Sequence, residues 1–123
     1  VQAYPSARPA RAQRPHQMAR LGGTSACMGI RRDAWRALGG FDPALGVGAP
    51  LQAAEELDFG LRALRAGWLV REDPACAVTH HGFLPWDALA ALVERNWFGT
   101  GAAVAKLALL EPAEGARLVA GLA

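Results

Sequence analysis

The residue pattern predicts an α/β fold, with short strands and helices mixed over the first two thirds of the chain and a helical tail after them. Three observations carry this. Leu57, Leu61 and Leu64 recur at helical spacing. Residues 75–80 alternate with a period of two, Cys76, Val78 and His80 facing away from Ala75, Ala77 and Thr79. From Pro85 onward, apolar residues return at helical intervals almost to the end.

Taken in order, residues 1–20 form a basic arm with Arg8, Arg11, Arg14 and Arg20 and no acid. Pro5, Pro9 and Pro15 argue against regular structure there, so the arm is expected to be solvated, with a phosphate-bearing ligand or an anionic membrane surface as its alternative use. Residues 24–30, small and apolar after Gly22-Gly23, predict a buried strand. Residues 33–38 predict a short helix with Asp33 at its start and Gly39-Gly40 as its stop. A turn follows at Phe41-Asp42-Pro43, then a flexible loop at residues 45–50 around Gly46 and Gly48.

The segment 54–66 is the clearest helix. Glu55, Glu56 and Asp58 occupy its first turn, Arg62 and Arg65 its last, and Gly67 stands where a terminal cap belongs. Asp58 and Arg62 are four apart and can pair on one face. Residues 68–71 and 75–80 read as strands joined by a turn at Asp73-Pro74. Pro85 opens a helix on which Trp86, Leu89, Val93 and Trp97 line one stripe. Gly99 and Gly101 are expected to interrupt it before helical segments at 102–110 and 113–122. No internal repeat is present.

Composition narrows the function classes. A chain of 123 residues with 52% hydrophobic and 20% charged residues is globular rather than disordered. A formal net charge of +2 gives no case for a polyanionic partner, and the arm's one aromatic, Tyr4, is too few for a nucleic-acid groove. The apolar run 101–110 is broken by Lys106 and falls short of the roughly 20 residues that span a bilayer. The N-terminus has no apolar core of the signal-peptide kind. Cys27 and Cys76 are expected to be buried thiols in a reducing compartment.

Chemistry concentrates at Glu55-Glu56-Leu57-Asp58. Three acids at a helix start behind a glycine loop can supply a general base: the helix aims the carboxylate, and a neighbouring acid raises its pKa from an ordinary value near 4.3. The plainer reading is that acids gather at helix N-termini because the dipole favours them. His80, at a strand end beside His81, is a candidate metal ligand or an ordinary edge histidine. With Cys76 the two histidines do not reach the four ligands of a closed zinc site.

In sequence, the segments Gly22-Gly23-Thr24-Ser25-Ala26-Cys27-Met28-Gly29-Ile30-Arg31-Arg32, Leu38-Gly39-Gly40-Phe41-Asp42, Leu45-Gly46-Val47-Gly48, Glu55-Glu56-Leu57-Asp58 and residues 74–80 resemble the family 2 glycosyltransferases of the GT-A fold. The likeness covers about residues 21–82, roughly half the chain, and its weight comes from five weak motifs in the right order. It implies that residues 21–84 are the C-terminal, acceptor-side part of a GT-A catalytic domain, and that residues 85–123 form the amphipathic helical tail that often rests on the inner membrane face.

The implied reaction is an inverting sugar transfer from a nucleotide-sugar to a glycan or lipid-linked acceptor, placing the protein in the cytoplasm or on the inner membrane face. Glu56 aligns with the base, Glu55 stands beside it, and Asp58 is expected to be structural through Arg62. The family more often has Asp at the position of Glu56, so the choice between Glu55 and Glu56 stays open. Gly22, Gly23, Thr24, Ser25 and Ala26 would line the sugar and acceptor pocket, with Phe41 and Asp42 nearby. His80 would help to bind a divalent metal, Mg or Mn, held mainly by the nucleotide-binding half. That half, with its Asp-x-Asp pair, is absent from these residues, so the chain is expected to be a fragment that is inactive alone. The competing expectation is a non-catalytic remnant that binds a partner or a membrane surface.

Overall fold

The structure, a computed structural model, describes residues 9–21, 25–79 and 85–123. They form a small, mostly helical α/β unit with two short antiparallel strands, β1 (Ala10–Ala12) and β2 (Val70–Glu72). Four α-helices accompany them: α1 (Arg32–Leu38), α2 (Glu55–Arg65), α3 (Trp86–Leu110) and α4 (Pro112–Leu122).

The described part of the arm, residues 9–20, is built into the fold, contrary to the expectation from the arm's prolines. Arg11 pairs with Arg71 in the β1–β2 ribbon, flanked by Ala10 with Glu72 and Ala12 with Val70, and Ala12 is fully buried. Pro9 and Pro15 lie outside this ladder, where a missing N–H costs nothing. Pro9 precedes the strand, and Pro15 opens a 3-10 helix, Pro15–Arg20, at a position that suits its fixed φ. Gln17 Oε1 accepts the N–H groups of Gln13 and Arg14 at 2.8 and 3.2 Å, closing that helix's start. Met18 and Ala19 then pack on the core.

That core is formed by Ala54, Leu61, Ala103, Val104, Leu107 and Leu118, drawn from α2, α3 and α4 with the residue before α2. α2 begins and ends within one residue of its sequence prediction because its signals are local: leucines at helical spacing and charges matched to the dipole. α1 starts at Arg32, and Asp33 stands in its first turn as expected, accepting the Ala34 N–H on Oδ1 (3.0 Å) and pairing with Arg31 (2.7 Å). Gly39 and Gly40 end it at φ +76 each, a conformation that favours glycine.

Three further expectations are corrected. Residues 25–30 carry no strand; Ser25–Cys27 is a single 3-10 turn, and residues 28–31 are irregular. Residues 75–79 are turn and coil, so β2 pairs with the arm and not with that segment. α3 runs unbroken through Gly99 and Gly101. At Gly99 the helix passes so close to the chain that a Cβ would come within 2.5 Å of the Ala53 carbonyl oxygen. Glycine serves here as an approach point rather than a break. Gly115 does the same between α4 and α3, where a Cβ would stand 2.6 Å from Ala108.

Candidate functional site

The loop before α2 positions the acids. Around Gly46 and Gly48, where a flexible loop is expected, the backbone is laced by hydrogen bonds. Leu45 N–H donates to Asp42 O, Ala49 N–H to Gly46 O and Leu51 N–H to Ala44 O, at 2.9–3.0 Å, and Leu45 is buried. The loop closes with two non-glycine residues in the left-handed region, Gln52 (φ 66) and Ala54 (φ 70). Such residues cost roughly 1–2 kcal/mol each, and strain of this kind gathers where a structure over-determines a functional position. Here it falls directly before Glu55.

Glu55 and Glu56 are both half-buried at the first turn of α2. The Glu55 carboxyl lies against Gly46, where a Cβ would be only 3.3 Å from its carboxyl carbon and one oxygen. Burial pushes the Glu56 carboxyl above the ordinary carboxylate range. Its own backbone N–H works the other way, and the charge and carboxyl contact of Glu55 add to the rise. The two carboxyls thus stand side by side at the helix start, half-buried behind the loop.

Asp58 stands apart from that pair. It is 2% exposed, and both its oxygens are engaged: Arg62 Nε donates to Oδ2 at 2.7 Å, and Lys106 Nζ lies 2.8 Å from Oδ1. The expected Asp58–Arg62 pairing is therefore present, and Asp58, counted among the candidate catalytic acids, belongs to the frame.

Arg62 and Lys106 extend the frame to the residues that follow α1. Arg62 donates to the carbonyls of Leu38 and Gly40, both at 2.7 Å, and its guanidinium lies 5.3 Å from the centre of the Phe59 ring. Lys106 Nζ also donates to Asp42 Oδ2 at 2.8 Å, while Asp42 Oδ1 accepts the Ala44 N–H at 2.9 Å. The Lys106 ammonium holds the Asp42 carboxyl below its ordinary range. Asp42, expected at the substrate pocket, thus has both oxygens committed to structure. Phe41, expected beside it, packs edge-on to Trp35 (5.1 Å) and to Phe59 (5.7 Å), completing an aromatic trio.

Of the remaining expected pocket residues, Gly22, Gly23 and Thr24 lie outside the described residues, as does His80. Ser25 and Ala26 fall in the 3-10 turn, and no hydrogen bond among the described residues ties them to Glu55 or Glu56. No group of three or more His, Cys, Asp or Glu able to hold a metal is found among the described residues. Glu55 and Glu56 supply two carboxylates, so a metal at this point needs further ligands from elsewhere.

Lys106 is the residue that sequence reasoning missed. The signal was present, since it is the one charge in the apolar run 101–110. A wide open hollow also lies over the start of α1, lined by Arg31, Arg32, Asp33, Arg36 and Ala37. The acidic pair does not line it.

Comparison with family models, with curated proteins and with solved structures returns no match for this chain.

Proposed function

We propose that the chain is the acceptor-side part of an inverting glycosyltransferase of the GT-A, family 2 kind, moving a sugar from a nucleotide-sugar to a glycan or lipid-linked acceptor. The observation that carries the reading is the Glu55–Glu56 pair: two half-buried carboxyls behind a strained loop, with Glu56 raised by burial and by its neighbour. A base of this kind accepts the acceptor hydroxyl's proton as the oxygen attacks the anomeric carbon from the face opposite the leaving nucleoside diphosphate. The ordered motifs around it support the family reading.

In this reading the Asp58–Arg62–Lys106–Asp42 frame is a positioning device. It fixes the start of α2 against the turn after α1, so that the base keeps its direction. The donor diphosphate and its divalent ion, Mg or Mn, belong to a nucleotide-binding half outside these residues; when bound, the ion neutralises the leaving diphosphate.

The test is Glu56→Gln in the protein together with its donor-binding half. Sugar transfer should be abolished while nucleotide-sugar binding persists, since the amide keeps the shape and cannot accept the proton. Transfer at near wild-type rate would shift the role to Glu55 or dismiss the site.

One observation favours the second reading, a binding module on a membrane surface or partner. Trp86, Leu89, Val93 and Trp97 share a stripe of α3 as expected, yet all four are exposed, Trp86 to 89%. Such a face suits peripheral attachment to the inner membrane surface. Among the described residues, no helix is long and apolar enough to cross a membrane. Retention of transfer after Trp86→Ser and Trp97→Ser, with loss of sedimentation on anionic vesicles, would assign the stripe to anchoring alone.

A further inference from the structure

Cys27 and Cys76, expected from the sequence to be buried thiols, are both exposed. They are also neighbours. Cys27 Sγ lies 3.7 Å from the Cys76 carbonyl oxygen, across 49 positions of sequence. A sulfur this close to the backbone of the second cysteine is within one residue's reach of the second sulfur. Exposure leaves both side chains free to rotate, and the irregular segments carrying them can absorb a small adjustment toward disulfide geometry. Cys76 is held by the turn at Asp73, where its N–H donates to Asp73 O at 2.9 Å and the Ala75 N–H donates to Asp73 Oδ1 at 3.0 Å. Cys27 closes the short Ser25–Cys27 turn.

We propose that Cys27 and Cys76 form a reversible intramolecular disulfide, a redox staple joining the segment before α1 to the segment after β2. This stands independently of the glycosyl-transfer reading. The oxidant is a low-molecular-weight disulfide such as oxidised glutathione. The thiolate of one cysteine attacks a sulfur of that disulfide and releases one thiol. The thiolate of the other cysteine then attacks the protein sulfur of the mixed disulfide and releases the second thiol. Two protein thiols are oxidised, one small disulfide is reduced, and both thiol hydrogens leave with the released thiols. The bond closes a long loop that contains α1, α2 and β2, and so restricts the unfolded chain strongly.

The test exposes the native, reduced chain to oxidised glutathione and reads the product by intact-mass spectrometry, peptide mapping and a non-reducing gel. The expected product is a monomer lighter by two hydrogen atoms, with Cys27 and Cys76 peptides linked and the change reversed by dithiothreitol. Its Tm should rise by about 10 °C, and the rise should vanish in Cys27→Ser and in Cys76→Ser. Glutathione retained on both cysteines, disulfide-linked dimers alone, or two free thiols after oxidation would each overturn the proposal. If a serine variant fails to fold, the wild-type mass and peptide map decide the question alone.

Discussion

Lys106 Nζ of α3 lies 2.8 Å from Oδ1 of Asp58 in α2, a carboxylate whose side chain is only 3% exposed. The same carboxylate meets Arg62 through its other oxygen, so three charges from two helices share one buried point. Removing Asp58 leaves the largely buried Arg62 guanidinium without its carboxylate and Lys106 with Asp42 alone. Asp58→Ala should therefore destabilise the fold by about 3–5 kcal/mol. Lys106→Met keeps the apolar stem and leaves Asp58 paired with Arg62, so its cost should be smaller, about 1–2 kcal/mol. Urea unfolding of the three proteins checks the order, and an Asp58→Ala effect below that of Lys106→Met would refute the frame.

Two glycines in the middle of α3 should respond with opposite signs. A Cβ at Gly101 meets open space, so Gly101→Ala should stabilise the helix by about 0.5–1 kcal/mol. A Cβ at Gly99 would collide with the backbone of Ala53, and Gly99→Ala should cost about 1–3 kcal/mol despite alanine's better propensity. Thermal unfolding of the pair is the measurement, and equal shifts would show that α3 does not press on residue 53.

Glu56 makes stability depend on pH in a direction opposite to that of most paired acids. Burial raises its folded carboxyl above the unfolded value, so the folded state keeps its proton to higher pH. Stability is accordingly fuller in acid and falls as pH climbs through the range just above the ordinary carboxylate value. Glu56→Gln removes this fall. The variant's advantage over wild type should grow as pH rises through the carboxylate range toward neutrality, as read by urea unfolding at a series of pH values. An advantage that does not change with pH would mean that the carboxyl is not desolvated.

The left-handed conformation at Gln52 gives a fourth stability test. Its side chain is exposed, so glycine loses little packing and relieves the φ of 66. Gln52→Gly should raise unfolding stability by about 0.5–1 kcal/mol, after the entropy that glycine adds to the unfolded chain is subtracted. If the strain serves the acidic pair, the variant should also return the Glu56 carboxyl toward its ordinary pKa, readable by NMR titration.

Local signals were legible in the sequence, and contacts between distant segments were not. α2, its dipole-matched ends and the Asp58–Arg62 pair follow from spacing within one helix. So does the stop at Gly39-Gly40. Over the described residues 25–30 and 75–79 the expected strands failed because a short apolar or alternating run does not name its partner, and the strand that pairs with β2 is Ala10–Ala12, about half the chain's length away. The prolines of the arm misled because only their position relative to the ladder matters. Gly99 misled because its cost to a helix is offset by a close approach that sequence does not display. At the site, the acids and their neighbourly pKa effect were readable. The commitment of Asp42 and Asp58 to Lys106 required the fold.

His16, in the arm, donates its backbone N–H to Glu114 of α4 at 3.2 Å and places Nδ1 2.8 Å from the same oxygen, 98 positions away. A polypeptide emerging from a ribosome presents residue 16 long before residue 114 exists. Met18 and Ala19 must then wait, uncovered, for the helix that completes their packing. The docking of residues 16–19 is therefore among the longest-range closures in this fold, and it cannot be completed before α4 has been made.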